Sequence, residues 1–329
     1  MENKIFSYLE KIGNKINFDL VYLSKGGFWL LIQQIVTNVT SLLLAIIYSR
    51  YLSQTVYGNF NFIFSILGIL TITALPGLNS VLGQSVAKGF EGTLRVMIKE
   101  KMKWGVLGSC FALLFSAYFY FTSNIEMSVI LLLVALFFPT MTSSYLYDSY
   151  LTGKGLFKQS ALFDCAYQIT NFISITLIVI FSKKLIPIFL VYLFTTTLVR
   201  WYMLRRTLKY YSPNKNVDSK AVSYGKHITI INAVGSLASY LDSVIVFYFL
   251  GPVNLAIYAF ATLPIDKIIG ILSVVPTLAL PKLSRATLGR INQVLIKRIM
   301  LLALFGLVIT VVYQIFASSL FSILFPKYI

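Results

Sequence analysis

From Phe28 to Tyr48 the chain has no charged side chain, and a run of that length can cross a hydrocarbon core, which takes roughly 20 apolar residues at 1.5 Å rise each. Further apolar runs follow, giving spans near 28–49, 60–82, 104–122, 127–146, 162–181, 185–203, 228–250, 255–278 and 300–324, about nine crossings. Charged residues make up only 12% of the chain and hydrophobic ones 57%, so a water-soluble fold has too little polar surface to cover it. An all-α polytopic membrane protein is the fold class these runs predict.

The net charge of +17 does not point to nucleic acid, because the basic residues fall between the apolar runs rather than along an aromatic-interleaved groove. Of 28 Lys and Arg residues, 23 lie on one side of the predicted spans, Lys101 and Arg200 among them. Arg50, Lys183, Lys184 and Lys327 fall on the other side, and Lys267 alone, deep within a span, is counted with neither side. That asymmetry predicts a cytoplasmic N-terminus in a multi-pass protein of the cytoplasmic membrane. Cys110 and Cys165 lie in or beside apolar runs and imply neither a disulfide framework nor a metal site.

Polar and charged residues recur through Lys25, so residues 1–25 are not expected to act as a cleavable signal. Ile5, Leu9, Ile12 and Ile16 line one helical face opposite Lys4, Lys11 and Lys15, which predicts an amphipathic helix on the membrane surface. A first lobe is expected over 26–204, a polar linker over 205–227 and a second, incomplete lobe over 228–329. At an offset of 198 residues Gly27 falls on Gly225, Ser41 on Ser239, Leu52 on Leu250 and Phe60 on Tyr258, a faint internal repeat. The chain ends directly after an apolar run, which suggests a fragment that stops about three helices early.

Polar groups inside spans are costly in lipid and mark candidate sites. Asp242, Asp266 and Lys267 lie within the seventh and eighth spans; Gln33, Gln34, Asn38 and Asn232 lie in the first and seventh. The short Gly251-Pro252-Val253-Asn254 turn makes the seventh and eighth spans antiparallel neighbours, so Asp242 is expected to meet Lys267. Asp266 and Lys267, about 100° apart on one helix, cannot share a face. Such a charged pair serves either ion exchange or static packing. Gln34 and Asn38, at i and i+4, either bond cargo across a cleft or fix the first helix to its neighbours. Pro76, Pro264, Pro276 and Pro281 either kink spans or mark helix ends. His227, at a helix entrance, is incidental.

Three ordered groups of residues carry a resemblance. The first is Gly26-Gly27-Phe28, Ser49-Arg50-Tyr51-Leu52, Tyr57-Gly58 and Pro76-Gly77-Leu78. The second is Leu241-Asp242, Phe249-Leu250-Gly251-Pro252 and Ala256-Ile257-Tyr258-Ala259; the third is Val275-Pro276 and Pro281-Lys282-Leu283-Ser284. In this order they resemble the polysaccharide biosynthesis and export proteins of the oligosaccharidyl-lipid flippase type, related to multidrug and toxin extrusion pumps. The resemblance implies a two-lobed bundle of twelve or fourteen helices that flips undecaprenyl-diphosphate-linked oligosaccharide for O-antigen, capsule or exopolysaccharide. It also implies contact with membrane lipids and with polysaccharide polymerase machinery.

On that reading Asp242 or Asp266 exchanges a proton or sodium ion, Lys267 or Arg50 attracts the diphosphate, and Gln33, Gln34, Asn38 and Asn232 face sugar hydroxyls. No cofactor, metal or catalytic residue is expected. A membrane glycosyltransferase or polymerase would call for paired carboxylates on a sizeable loop, yet only 11 acidic residues occur and no Asp-x-Asp is present. With no Gly-x-x-x-x-Gly-Lys loop, an ion gradient is the expected energy source. A multidrug or cation exporter of the same architecture is the alternative.

Overall fold

The computed structural model describes residues 20–272, together with residues 303, 304, 306, 313, 314 and 325. The predicted N-terminal amphipathic helix, Pro276, Pro281 and the span at 300–324 lie outside the described residues. Among the described residues nine helices follow one another: α1 Leu20–Tyr51, α2 Gln54–Thr71, α3 Gly77–Ala87, α4 Thr93–Phe121, α5 Ile125–Ser144, α6 Leu146–Gly153, α7 Phe157–Ser182, α8 Leu185–Tyr211 and α9 Ala221–Leu272. Six helical stretches among the described residues are long and apolar enough to cross a membrane. The protein is an all-α polytopic membrane protein.

α1 shows why these segments sit in lipid. Phe28, Leu31, Ile35, Val39 and Leu43, spaced three and four apart, are exposed along one face. Thr40, Ala45 and Tyr48 are buried on the opposite side. The helix is thus apolar outside and partly polar inside, the reverse of a soluble amphipathic helix.

The expected second span, 60–82, is in fact broken. Ser53 caps α2 by accepting from the Val56 amide at 3.3 Å. α2 then tightens at its far end through Thr73 N–H to the Leu70 carbonyl (3.0 Å) and Ala74 N–H to the Thr71 carbonyl (3.1 Å). Leu75 takes a left-handed φ of 55°, and Pro76, with no N–H to donate, begins α3 instead of continuing α2.

The expected seventh and eighth spans are the two arms of α9. Gly251, at φ 83° and ψ 175°, occupies a region open essentially to glycine alone, and it reverses the chain between the arms. That the arms fold back is seen from the Tyr258 hydroxyl, which donates to the Asp242 carboxylate sixteen residues earlier. The corresponding turn between α1 and α2, at Leu52 and Ser53, falls at the 198-residue offset that the sequence repeat suggested.

α9 packs chiefly on α2 and α3, α1 on α7, and α4 on α5, while α8 lies against α5 and α7. Small residues set the closest approach. Gly58 meets the Pro252 backbone carbonyl, Gly68 the Tyr240 ring, and Gly77 the Gly225 carbonyl, a ladder that runs antiparallel up the first arm of α9. Two buried clusters result. One surrounds Tyr48, Phe60, Phe138 and Phe189, and the other surrounds Leu78, Met97, Tyr147 and Leu204 at the basic end of the bundle.

The polar stretch 205–227 is mostly helix: α8 runs to Tyr211, α9 starts at Ala221, and only residues 212–220 are left between them. Those nine are pinned to the α3–α4 turn. Gly92 N–H donates to the Asn216 carbonyl (2.9 Å), the Asn214 amide to the Gly89 carbonyl (2.9 Å) and Asp218 N–H to Thr93 Oγ1 (3.0 Å). In the same turn Glu91 accepts from the Tyr150 hydroxyl at 2.8 Å and pairs with Lys154 at 3.1 Å.

Burial pushes the Glu91 carboxyl up, but the bonds from Tyr150 and Lys154 outweigh it and hold its pKa below the ordinary 4.5. A depressed carboxyl stabilises the fold above its unfolded value and loses that contribution as pH falls through the folded value. Melting followed from pH 6 to pH 3 should therefore drop below about pH 4.5 in the parent and be flatter in Glu91→Gln. Equal slopes in the two proteins would show that Glu91 does not clamp this end.

Candidate functional site

The inner faces of α1, α7 and α8 form a polar column. α1 contributes Gln33, Thr40 and Ser41, α7 contributes Asp164, Gln168 and Asn171, and α8 contributes Arg200, Thr196 and Tyr192. α1 and α7 run the same way and α8 the opposite way, so these positions stack in levels over about 12 Å at 1.5 Å per residue.

At the lower level the Arg200 guanidinium lies over the rings of Tyr167 (4.1 Å) and Tyr145 (4.6 Å). Asp164, only 4% exposed, faces Arg200 and is approached by the side chains of Gln33 and Gln168. Asp148, from α6, receives the Ser160 hydroxyl, and Lys101 donates from α4 to Asn79 at 2.7 Å. Lys101 is 3% exposed and lies within electrostatic reach of Arg200. Asp148, Asp164 and Arg200 therefore lie within electrostatic reach of one another inside the bundle, where opposite charges make one another more tolerable, while Lys101 is satisfied by Asn79. Placing Lys101 and Arg200 among the basic loop residues was wrong: both project from within helices into the bundle.

At the upper level the column opens into a cavity of about 280 Å³ between α1, α2, α7 and α8. Thr40, Ser41, Gln168 and Asn171 supply its polar wall; Tyr48, Phe60, Phe64, Tyr167 and Tyr192 supply aromatic faces. The Tyr167 hydroxyl lies 3.1 Å from Thr196 Oγ1. The Asn171 carbonyl oxygen is buried with no hydrogen-bond partner. Lys267, from the second arm of α9, reaches this cavity's edge and donates to Ser41 Oγ at 2.6 Å.

A second opening, a cleft of about 540 Å³, lies where the α2–α3 break faces the first arm of α9. Pro76, Gly77, Ser80, Asn232, Ser236 and Ser239 line it. The break is fastened to α9 by the Gly77 amide, which donates to Thr229 Oγ1 at 3.0 Å. Apart from the apolar Ile231, small or uncharged polar side chains and backbone meet here, a surface suited to hydroxyl-rich cargo rather than to a cation.

The residues singled out from the sequence are thus distributed over several places. Asn232 lines the cleft, and Gln33 stands beside Asp164. Gln34 donates to Asn38 at 3.4 Å along α1, as their spacing predicts. Arg50 is exposed in the last turn of α1, at the end of the bundle away from the 212–220 segment.

Asp242 does not meet Lys267. Its partners are Tyr258 across the hairpin and its neighbour's amide, Ser243 N–H at 2.8 Å. With the turn at Gly251, Lys267 lies nine residues beyond Tyr258, about 13 Å further along the arm, and its ammonium turns to α1 instead. Asp266, beside it, is exposed.

Residues 23–287 match the family described as polysaccharide biosynthesis protein. The chain belongs to that family. Comparisons with curated proteins and with solved structures gave no significant match. The family assignment places this polysaccharide biosynthesis protein in the membrane-bound part of polysaccharide synthesis or export. Among the described residues, no group of three or more His, Cys, Asp or Glu side chains is placed to hold a metal ion.

Proposed function

We propose that this protein is a flippase that carries undecaprenyl-diphosphate-linked oligosaccharide across the cytoplasmic membrane for cell-surface polysaccharide such as O-antigen or capsule, with its N-terminus in the cytoplasm. The observation that carries the reading is the pairing of a polysaccharide-biosynthesis family match with an uncharged polar cleft at a helix break between α2–α3 and α9. Members of this family are typically transporters rather than enzymes.

In this reading residues 26–204 form one lobe and the chain from 228 onward contributes to a second, related to the first by the 198-residue repeat. Sugar hydroxyls bond to Asn232 and the cleft serines, while the prenyl tail stays in the bilayer. Lys267, whose ammonium is engaged by a neutral hydroxyl, attracts the diphosphate when cargo arrives, and the exposed Arg50 attracts it at the opposite face. A proton or sodium gradient drives rocking of the lobes, with Asp242 or Asp266 as the ion-exchanging carboxylate. The polysaccharide polymerase machinery is the natural recipient of the product.

The test is flipping of a fluorescent undecaprenyl-diphosphate oligosaccharide by the full-length protein in proteoliposomes, with and without an imposed gradient. Asp242→Asn and Lys267→Ala should each slow gradient-driven flipping by about tenfold, which corresponds to ~1.4 kcal/mol in the barrier. Parent-like rates in both folded variants would remove these two residues from the mechanism.

A further inference from the structure

The cavity of about 280 Å³ between α1, α2, α7 and α8 is separate from the serine-lined cleft, to which the flippase reading assigns the sugar hydroxyls. Its size falls just below the roughly 300–1,000 Å³ of pockets for drug-sized molecules, which suits one sugar ring rather than a chain of them. Its walls combine flat aromatic faces, which cover the apolar face of a pyranose, with polar groups that address its edge.

The polar groups have a definite bias. The Thr40 hydroxyl hydrogen is spent on the Val36 carbonyl (2.8 Å) and the Ser41 hydroxyl hydrogen on the Asn38 carbonyl (3.0 Å), so both oxygens act as acceptors, that of Ser41 already meeting the Lys267 ammonium. Asn171, 8% exposed, adds a carbonyl oxygen that has no donor at all. A buried acceptor without a partner costs about 1–3 kcal/mol, which a ligand N–H or O–H would recover. The cavity therefore calls for a ligand rich in donors. At its edge stands the Lys267 ammonium, held by Ser41 alone of the cavity's polar side chains and placed to take an anion next to the ring. A donor-bearing ring joined directly to an anion is a glycosyl phosphate.

Building on the flippase reading, we propose that this cavity is the subsite for the sugar directly attached to the diphosphate, with Asn171 accepting from its hydroxyl or acetamido N–H and Lys267 meeting the adjoining phosphate. Cargo selection would then act on the first sugar of the oligosaccharide, whatever follows it, because only that ring is tethered beside Lys267.

Native mass spectrometry of the full-length protein with undecaprenyl diphosphate and with undecaprenyl-diphosphate N-acetylglucosamine separates the two ideas. The parent should bind the sugar-bearing lipid about tenfold more tightly. Asn171→Leu should abolish that preference while leaving the bare diphosphate bound as before, and Asn171→Ala, which removes the acceptor without filling the cavity, should reduce it. Lys267→Ala should weaken both lipids together. A parent that binds the two lipids equally, or folded Asn171 variants that keep the preference, would overturn the subsite and leave the flippase reading standing. A parent that binds neither lipid would overturn both.

Discussion

Asp164→Ala should cost the protein about 2–3 kcal/mol of stability, among the largest effects expected of a single substitution in the bundle, because it removes a buried carboxylate that Gln33 and Gln168 approach and takes away the negative charge that Arg200 faces. Arg200 is held between two tyrosine rings in the interior of α8, so it cannot swing to water without giving up both contacts. Arg200→Ala should be comparably damaging, since Asp164 and Asp148 would then repel one another without the guanidinium charge that offsets it. The double variant Asp164→Leu with Arg200→Met removes both charges and replaces them with apolar bulk, so its loss should fall well short of the sum. Thermal unfolding in detergent, followed by size-exclusion fluorescence, checks the set. Single variants that melt within a degree of the parent would show that the pair contributes nothing to the fold.

Gly58→Ala comes next. A Cβ at that position would collide with the backbone carbonyl of Pro252, and backbone at a fixed turn cannot move aside as a side chain can. The expected loss is about 2–3 kcal/mol, toward the upper end for overpacking. Gly68→Ala meets the Tyr240 ring instead, which can rotate away, and should cost less. The order Gly58→Ala worse than Gly68→Ala, read as melting temperature and as the yield of monodisperse protein, tests whether the α9 hairpin is seated on α2 as described. Equal tolerance at both sites would contradict that seating.

Much of this architecture is legible in the sequence, because lipid permits few solutions. Uncharged runs of about twenty residues dictated helices, and Gly251-Pro252 marked the reversal that brings Asp242 beside the other arm. What the runs could not convey was how a helix is interrupted. Residues 60–82 look continuous by hydropathy, yet Pro76 ends one helix and begins another, and the polar cleft forms at that break. Hydropathy also misplaced the charged cluster. Lys101 and Arg200 lie near the ends of apolar runs, where basic residues usually face water, and only tertiary packing shows that they point inward toward Asp164 and Asn79. A signal was present, since Asp164 interrupts an otherwise uncharged span and an intramembrane carboxylate asks for a cation on a neighbouring helix. The Asp242–Lys267 pairing failed for a metric reason: the hairpin register sets Tyr258 opposite Asp242 and carries Lys267 past it.

The most direct test of the account is cargo discrimination by the full-length protein reconstituted in proteoliposomes, with a fluorescent undecaprenyl-diphosphate oligosaccharide and an organic cation such as ethidium offered to the same vesicles. The account predicts that the lipid-linked oligosaccharide changes leaflet at a rate set by the imposed ion gradient while the cation stays outside. Uptake of the cation by correctly folded protein, with the lipid-linked sugar left in its original leaflet, would contradict it and make the protein a cation exporter.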